Sequence, residues 1–354
     1  MSGLWVVREV AQARAGASAP IVSSSVEVTV ETGRLDVRFA AVRQRPVDLE
    51  RAAAAGLEET AAHLPEVLRG RLAVEAGEVS SSLRSNGEQV PLFSRSYRMA
   101  SCRGVVLGIQ EVDLGARSFV SPWAGTLAAE WVDSSLPVVL SPSAVLALVS
   151  YALEVTGSHV ATRSNAYLPG LTVLDTAFSP YPPQHHPFEG DGAASPDRLL
   201  IEDGRWCNRD EHAGDDVDPL FFLLTRPNRA LRPLAAATHF NRRNLAVQCS
   251  RSASPPIPAI LVDSWRVRVG PRSGAVPFHA ELSRIEQNGE RLAITAAVAL
   301  NFDPWEVLAR VRGASGPAAP AIDEDPIEGD SYGCAPTLVT DLTFGDLAGG
   351  AEGS

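Results

Sequence analysis

Apolar and polar positions alternate along most of this chain, and helical periodicity is confined to a few segments. Residues 1–18 put Leu4, Val7, Val10 and Ala11 on one helical face, which predicts a short opening helix. Residues 21–43 alternate and are rich in β-branched side chains, which predicts a strand pair turning at Thr32-Gly33. Residues 47–72 predict a helix, with Asp48 as N-cap, Leu57, Ala61, Leu64 and Val67 as its apolar stripe, and Pro65 as a break or kink. Strands follow at about 73–85, 89–102 and 104–117, with Asn86-Gly87 as a hairpin signal. Residues 122–133 predict another helix, and Leu136–Leu140 a short buried strand.

The second half opens on PSAVLALVSYALEVTG, a helix over 142–157 that is apolar all round and therefore expected to be buried on every side, with Gly157 as its stop. Further strands are predicted at 171–175, 197–203, 205–209, 220–225, 258–269, 275–286 and 290–299, with Asn288-Gly289 as a second hairpin signal. Asp303 and Pro304 predict a short capped helix over 303–311. Residues 312–331 are rich in Pro, Gly and acids and are expected to form a mobile loop. A last strand is expected at 336–344 and a frayed tail at 345–354. The pattern is α+β: mostly antiparallel sheets, with a buried central helix in the C-terminal domain. A boundary near residue 135 divides it into an N-terminal α+β domain, 1–135, and a C-terminal domain, 136–354.

Composition narrows the function. The chain has 354 residues and a net charge of −11, which argues against a general nucleic-acid surface. All 31 basic residues are Arg. The four cysteines, Cys102, Cys207, Cys249 and Cys334, form no CxxC pair and no zinc-finger spacing, as expected of free thiols in a reducing cytoplasm. The N-terminus lacks the pattern of a signal peptide, and no apolar run is long enough to span a membrane, so a cytoplasmic protein is expected. There is no GxSxG elbow and no glycine-rich phosphate loop.

Several ordered motifs occupy 136–346. They are the strand and apolar helix LPVVLSPSAVLALVSYALEVTG, then Arg163-Ser164 and Gly170, the strand LTVLD, the acidic turn Phe188–Gly192, the strand LLIEDGR, the stretch His239–Asn244, and the closing GCAPTLV. Their order and spacing resemble the TldD/PmbA family, also called TldD/TldE. In that family one partner is a zinc peptidase with an HExxxH helix, and the other lacks the metal motif. Here Leu153 and Ser158 stand at the two helical ligand positions, while Glu154 and Gly157 remain. Leu cannot coordinate zinc and Ser is a poor ligand. Without a metal, Glu154 has no activated water to deprotonate. The resemblance therefore implies the metal-free subunit, with no cofactor in this chain and zinc in a TldD-like partner.

Each candidate residue has a plainer reading beside the functional one. Glu154 is either a base in a buried pocket or a solvent-facing Glu paired with Arg163. His159 lies one residue beyond the second ligand position, a rotation of roughly 100° on a helix. His185 and His186 could contribute to a metal site with Glu189 and Asp191, although adjacent histidines on an extended segment point to opposite sides. Glu189 and Asp191 could orient substrate or partner, or form an ordinary acidic turn. His239, Arg242, Arg243 and Asn244 could hold a peptide carboxylate, or lie on a solvated strand edge.

The resulting expectation is a non-catalytic TldE/PmbA-like subunit of a heterodimeric zinc metallopeptidase that processes small or modified peptides, with natural-product biosynthesis as one setting. Two alternatives stay open: a stand-alone homodimeric binding or scaffold protein, and an atypical metallohydrolase using His159 or the His185-His186 segment. Neither nucleic acid nor membrane is expected as a partner.

Overall fold

The alternating stretches of the first third pair with one another. The computed structural model describes residues 4–17, 21–30, 47–85, 88–111, 119–129, 132–156, 168, 170–176, 179–182, 197–206, 244–267, 276–323 and 331–349. Strands β1 (Leu4–Gly16), β2 (Ile21–Val30), β3 (Leu72–Ser85), β4 (Glu88–Cys102) and β5 (Val105–Glu111) form an antiparallel sheet in the order β2-β1-β3-β4-β5. Helix α1 (Val47–Ala61) packs on β1, β3 and β4. Its buried face is Ala53, Gly56 and Thr60. Gly56 allows a close approach, since a Cβ there would lie 3.0 Å from Val74 Cγ1. Pro65 interrupts the run, and the one-turn helix α2 (Glu66–Arg69) follows it.

Among the described residues, the second sheet has 12 strands. They are β6 (Gly125–Leu127), β7 (Pro137–Leu140), β8 (Leu171–Asp175), β9 (Arg198–Glu202), β10 (Arg205–Trp206), β11 (Leu245–Cys249), β12 (Ala259–Val267), β13 (Val276–Ile285), β14 (Arg291–Ile294), β15 (Val298–Phe302), β16 (Val311–Asp323) and β17 (Ser331–Thr343). The main path runs β10-β9-β8-β11-β17-β7-β12-β13-β14-β6, with β15 beside β13 and β16 beside β17. The pairs β11–β17, β7–β12 and β6–β14 are parallel, and the other pairs are antiparallel. Helix α3 (Pro142–Thr156) packs against β12, β16 and β17. Residues 143–150 and Ala152 are all buried, so the apolar helix is enclosed as its pattern predicts. The architecture is α+β with mostly antiparallel sheets. No helix among the described residues is long and apolar enough to cross a membrane.

The hairpin and cap signals hold where they are described. Gly289 has φ 83°, and β13 and β14 pair on either side of it. Strands β3 and β4 pair up to Ser85 and Glu88, flanking Asn86-Gly87, which lies outside the described residues with Thr32-Gly33. Asp303 caps α4 (Pro304–Ala309) by accepting from Trp305 N at 2.9 Å. The strand expected at 220–225 lies outside the described residues.

Several expectations are overturned. Residues 4–16 form a strand, because β1 pairs along its length with β3 and with β2, and two neighbours outweigh a weak helical periodicity. The start of the helix expected over 122–133 is not helical: Trp123 Nε1 donates to Ser283 Oγ, and Gly125–Leu127 joins β14 as a parallel strand. On the stripe expected over 47–72, Val67 is 55% exposed, and Leu68 is buried instead. Asp48 lies in the first turn of α1. The run expected over 290–299 is two strands, β14 and β15.

Residues 312–323, inside the expected mobile loop, belong to β16. Pro317 falls in a bulge between Ser315 and Ala319, and β17 is the one named strand that pairs with β16 among the described residues, a position that tolerates proline. The start of the expected tail is α5 (Phe344–Gly349), whose Leu347 is 1% exposed. It opens with a reciprocal cap: Thr343 N donates to Asp346 Oδ2 at 2.8 Å, and Asp346 N donates to Thr343 Oγ1 at 3.3 Å.

Candidate functional site

Helix α3 is fixed at its N-terminal end by polar contacts to two strands. Ser141 Oγ accepts from Ala144 N at 3.2 Å, as an N-cap does, and donates to the carbonyl of Asp263 at 2.5 Å. Trp265 Nε1 donates to the carbonyl of Ala144 at 2.6 Å, and Ser143 Oγ accepts from Ile322 N at 3.2 Å. Leu153 and Glu154 lie in the last turn of this helix. The side chains of those two residues, together with Gly157, Ser158, His159, Arg163, His185, His186, Glu189, Asp191, His239, Arg242 and Arg243, lie outside the described residues.

The motif-bearing strands are neighbours. LTVLD is β8, LLIEDGR runs through β9 and β10, and GCAPTLV lies in β17 beside β11 and β7. Asp203 and Gly204 turn the chain between β9 and β10 with φ 44° and 83°. Asn244 is 2% exposed at the start of β11. Its backbone N donates to Asp175 Oδ1 at 3.4 Å and its Nδ2 to the carbonyl of Thr176 at 3.2 Å, so it joins β11 to the end of β8. Gly333 faces β11 closely: a Cβ there would lie 2.1 Å from the carbonyl oxygen of Leu245.

The densest buried polar chemistry among the described residues lies between the two sheets, in residues the motifs do not mark. In one cluster, Arg103 Nε donates to Glu281 Oε2 at 3.1 Å and its Nη2 to the carbonyl of Leu282 at 3.0 Å. Arg71 pairs with Glu281 Oε1. Asp263 accepts from Ser283 Oγ at 2.7 Å and from Arg291 Nη2 at 2.5 Å. Trp123 Nε1 donates to Ser283 Oγ at 2.8 Å, and the Arg291 guanidinium lies 5.0 Å from the Trp123 ring centroid.

A second cluster centres on Glu75, which is 1% exposed. Arg14 Nε donates to its Oε2 at 3.1 Å, Tyr97 to its Oε1 at 2.6 Å, and the Tyr181 hydroxyl to the same Oε1. Tyr181 stacks on Tyr332 at a centroid distance of 3.7 Å. The only sequence signal for either cluster was charge within strands that otherwise alternate, as in LAVEAGEV and VDSWRV.

The two tyrosine hydroxyls on Glu75 stay protonated. Burial, then the neighbouring Glu75 charge, raises the Tyr97 hydroxyl well above its ordinary range, and burial does the same for Tyr181. Both are donors at neutral pH. Burial pushes the Cys102 thiol up to about 12, which keeps it out of nucleophilic chemistry. Among the described residues, no group of three or more His, Cys, Asp or Glu is placed to hold a metal ion.

No family model matches the sequence, and no curated protein matches it. Solved structures do. TldE from Thermococcus kodakarensis superposes with a TM-score of 0.55 at 12% identity, covering 97% of this chain and 96% of that one. Two candidate modulators of DNA gyrase also match. The one from Thermotoga maritima has a TM-score of 0.48 at 12% identity, covering 97% of this chain and 95% of that one. The one from Bacteroides thetaiotaomicron has a TM-score of 0.48 at 13% identity, covering 96% and 92%. On the first of these similarities, which runs through both sheets, the chain has the TldD/TldE family fold.

Proposed function

We propose that this chain is the metal-free subunit of a TldD/TldE-type peptidase pair, acting beside a TldD-like partner that carries an intact HExxxH helix. One observation carries the reading: a chain similar to TldE over 97% of its length has Leu153 and Ser158 where a zinc helix needs two histidines. Leu has no donor atom, and a neutral hydroxyl binds zinc weakly beside imidazole. The partner supplies zinc and the general base. This chain supplies walls and substrate contacts, with Glu189, Asp191, His239, Arg242 and Arg243 as the candidate contacts. Substrates are small or modified peptides, and the setting is cytoplasmic.

The enclosed helix supports the same reading. Residues 143–150 are packed against β12, β16 and β17, so α3 serves as core through most of its length. Co-expression with a TldD-like protein from the same genome, followed by size-exclusion chromatography, tests the pairing. The expected result is co-elution of both chains at the mass of a heterodimer. A chain that elutes alone as a monomer or homodimer in the presence of that protein contradicts it.

A further inference from the structure

The tip of the β4–β5 hairpin is buried against the second sheet. Its two central residues, Arg103 and Gly104, have φ 56° and 74°. Glycine adopts this region freely, whereas an arginine there is strained by about 1–2 kcal/mol. The strain is offset across the seam. Ser264 Oγ donates to the carbonyl of Arg103 at 2.7 Å, and the guanidinium is held by Glu281 and by the carbonyl of Leu282.

The two carboxylates opposite Arg103 differ. Asp263 has a cation from its own sheet, Arg291 on β14, and meets Arg103 across the seam only at 3.9 Å. Glu281, on β13, has its cations from across the seam: Arg103 at the hairpin tip, and Arg71 just before β3. Arg103 and Glu281 are 3% and 5% exposed, so neither charge is solvated when the sheets are together. A buried ion deprived of its partner is strongly destabilising, while replacing both partners by neutral groups is much less so.

We propose that the seam is a charge-matched latch: the sheets stay closed while Arg103 and Glu281 neutralise each other, and loss of either alone lifts the β4–β5 hairpin from β12 and β13. Without Arg103, Glu281 keeps, among the described residues, only the half-exposed Arg71. Without Glu281, Arg103 keeps only the carboxylate of Asp263 at 3.9 Å, which Arg291 already neutralises. Opening returns the under-matched ion to water. The latch also sets the position of α3, because the carbonyl of Asp263 holds Ser141 at the start of that helix.

Hydrogen exchange by mass spectrometry on the full chain tests it, comparing wild type with Arg103→Met, Glu281→Gln and the double variant. Each single variant is expected to speed exchange in β4, β5, β12 and β13 by roughly ten-fold or more. The double variant is expected to recover most of that protection. Arg310→Met, which breaks an exposed pair with Asp341, is the control and should leave the seam unchanged. Unchanged seam exchange in the single variants, or additive losses in the double, overturns the proposal. If a single variant does not accumulate as folded protein, recovery of folded protein in the double supports the latch, and failure of the double contradicts it.

Discussion

Trp265 on β12 hydrogen bonds to the backbone of Ala144 in the first turn of α3, indole Nε1 to carbonyl oxygen, at 2.6 Å. The indole is 2% exposed and lies 4.9 Å from the Phe302 ring centroid and 5.8 Å from that of Phe278. Trp265→Phe removes the hydrogen bond and part of the ring and should cost about 1–3 kcal/mol. Trp265→Ala should cost about 3–5 kcal/mol. Urea denaturation measures both, and equal midpoints for Phe and wild type would show that the bond to α3 contributes nothing.

Gly77 lies under the ring of Tyr97. A Cβ at residue 77 would sit 2.4 Å from the Tyr97 hydroxyl oxygen. Gly77→Ala must therefore displace a fully buried ring from its hydrogen bond to Glu75. The expected loss is about 1–3 kcal/mol, read as a lower thermal midpoint. A small gain, as Gly→Ala gives in an open strand, would mean that the ring can move aside freely.

Stability should fall at alkaline pH. Burial pushes the Cys102 thiol up to about 12 from its ordinary value near 9.0, so the unfolded state loses its proton first. Its contribution is complete below about pH 9 and is lost as the pH rises toward 12. Tyr97 and Tyr181, also raised, add to the loss above about pH 10. Cys102→Ala should flatten the decline that begins near pH 9, and Tyr97→Phe the steeper part above pH 10. Denaturant midpoints measured from pH 7 to 10.5 check both, and a flat wild-type profile contradicts the assignment.

The C-terminal helix depends on its cap. Thr343 and Asp346 satisfy each other's backbone or side-chain groups at the start of α5, which buries Phe344 and Leu347. Thr343→Ala should cost about 1 kcal/mol. Exchange in the 344–349 peptide should rise in this variant while β12 stays protected.

Sequence pattern carried the features that depend on local chemistry. Asn288-Gly289, the Asp303-Pro304 cap and the all-apolar α3 segment each specify a local geometry, and the structure contains all three. What escaped depends on distant neighbours. Leu4–Gly16 is a strand because β2 and β3 flank it, and β16 accepts Pro317 because the proline falls in a bulge of the pairing with β17. The TFGD cap at 343–346 was legible in principle, but the small and acidic residues after it suggest a tail. The Arg103 and Glu75 clusters were not legible, since the partners are 178 residues apart for Arg103 and Glu281, and 106 for Glu75 and Tyr181. Of the site residues chosen from the motifs, Asn244 is described with its side chain, and it ties two motif strands together.

The central claim is that this chain acts as the metal-free half of a pair, and native mass spectrometry of the co-expressed pair tests it most directly. The expected species contains one copy of this chain, one copy of the HExxxH partner and one zinc ion, with the zinc remaining on the partner when the two are separated. A spectrum in which this chain flies alone beside an intact partner, or carries stoichiometric zinc itself, contradicts the account.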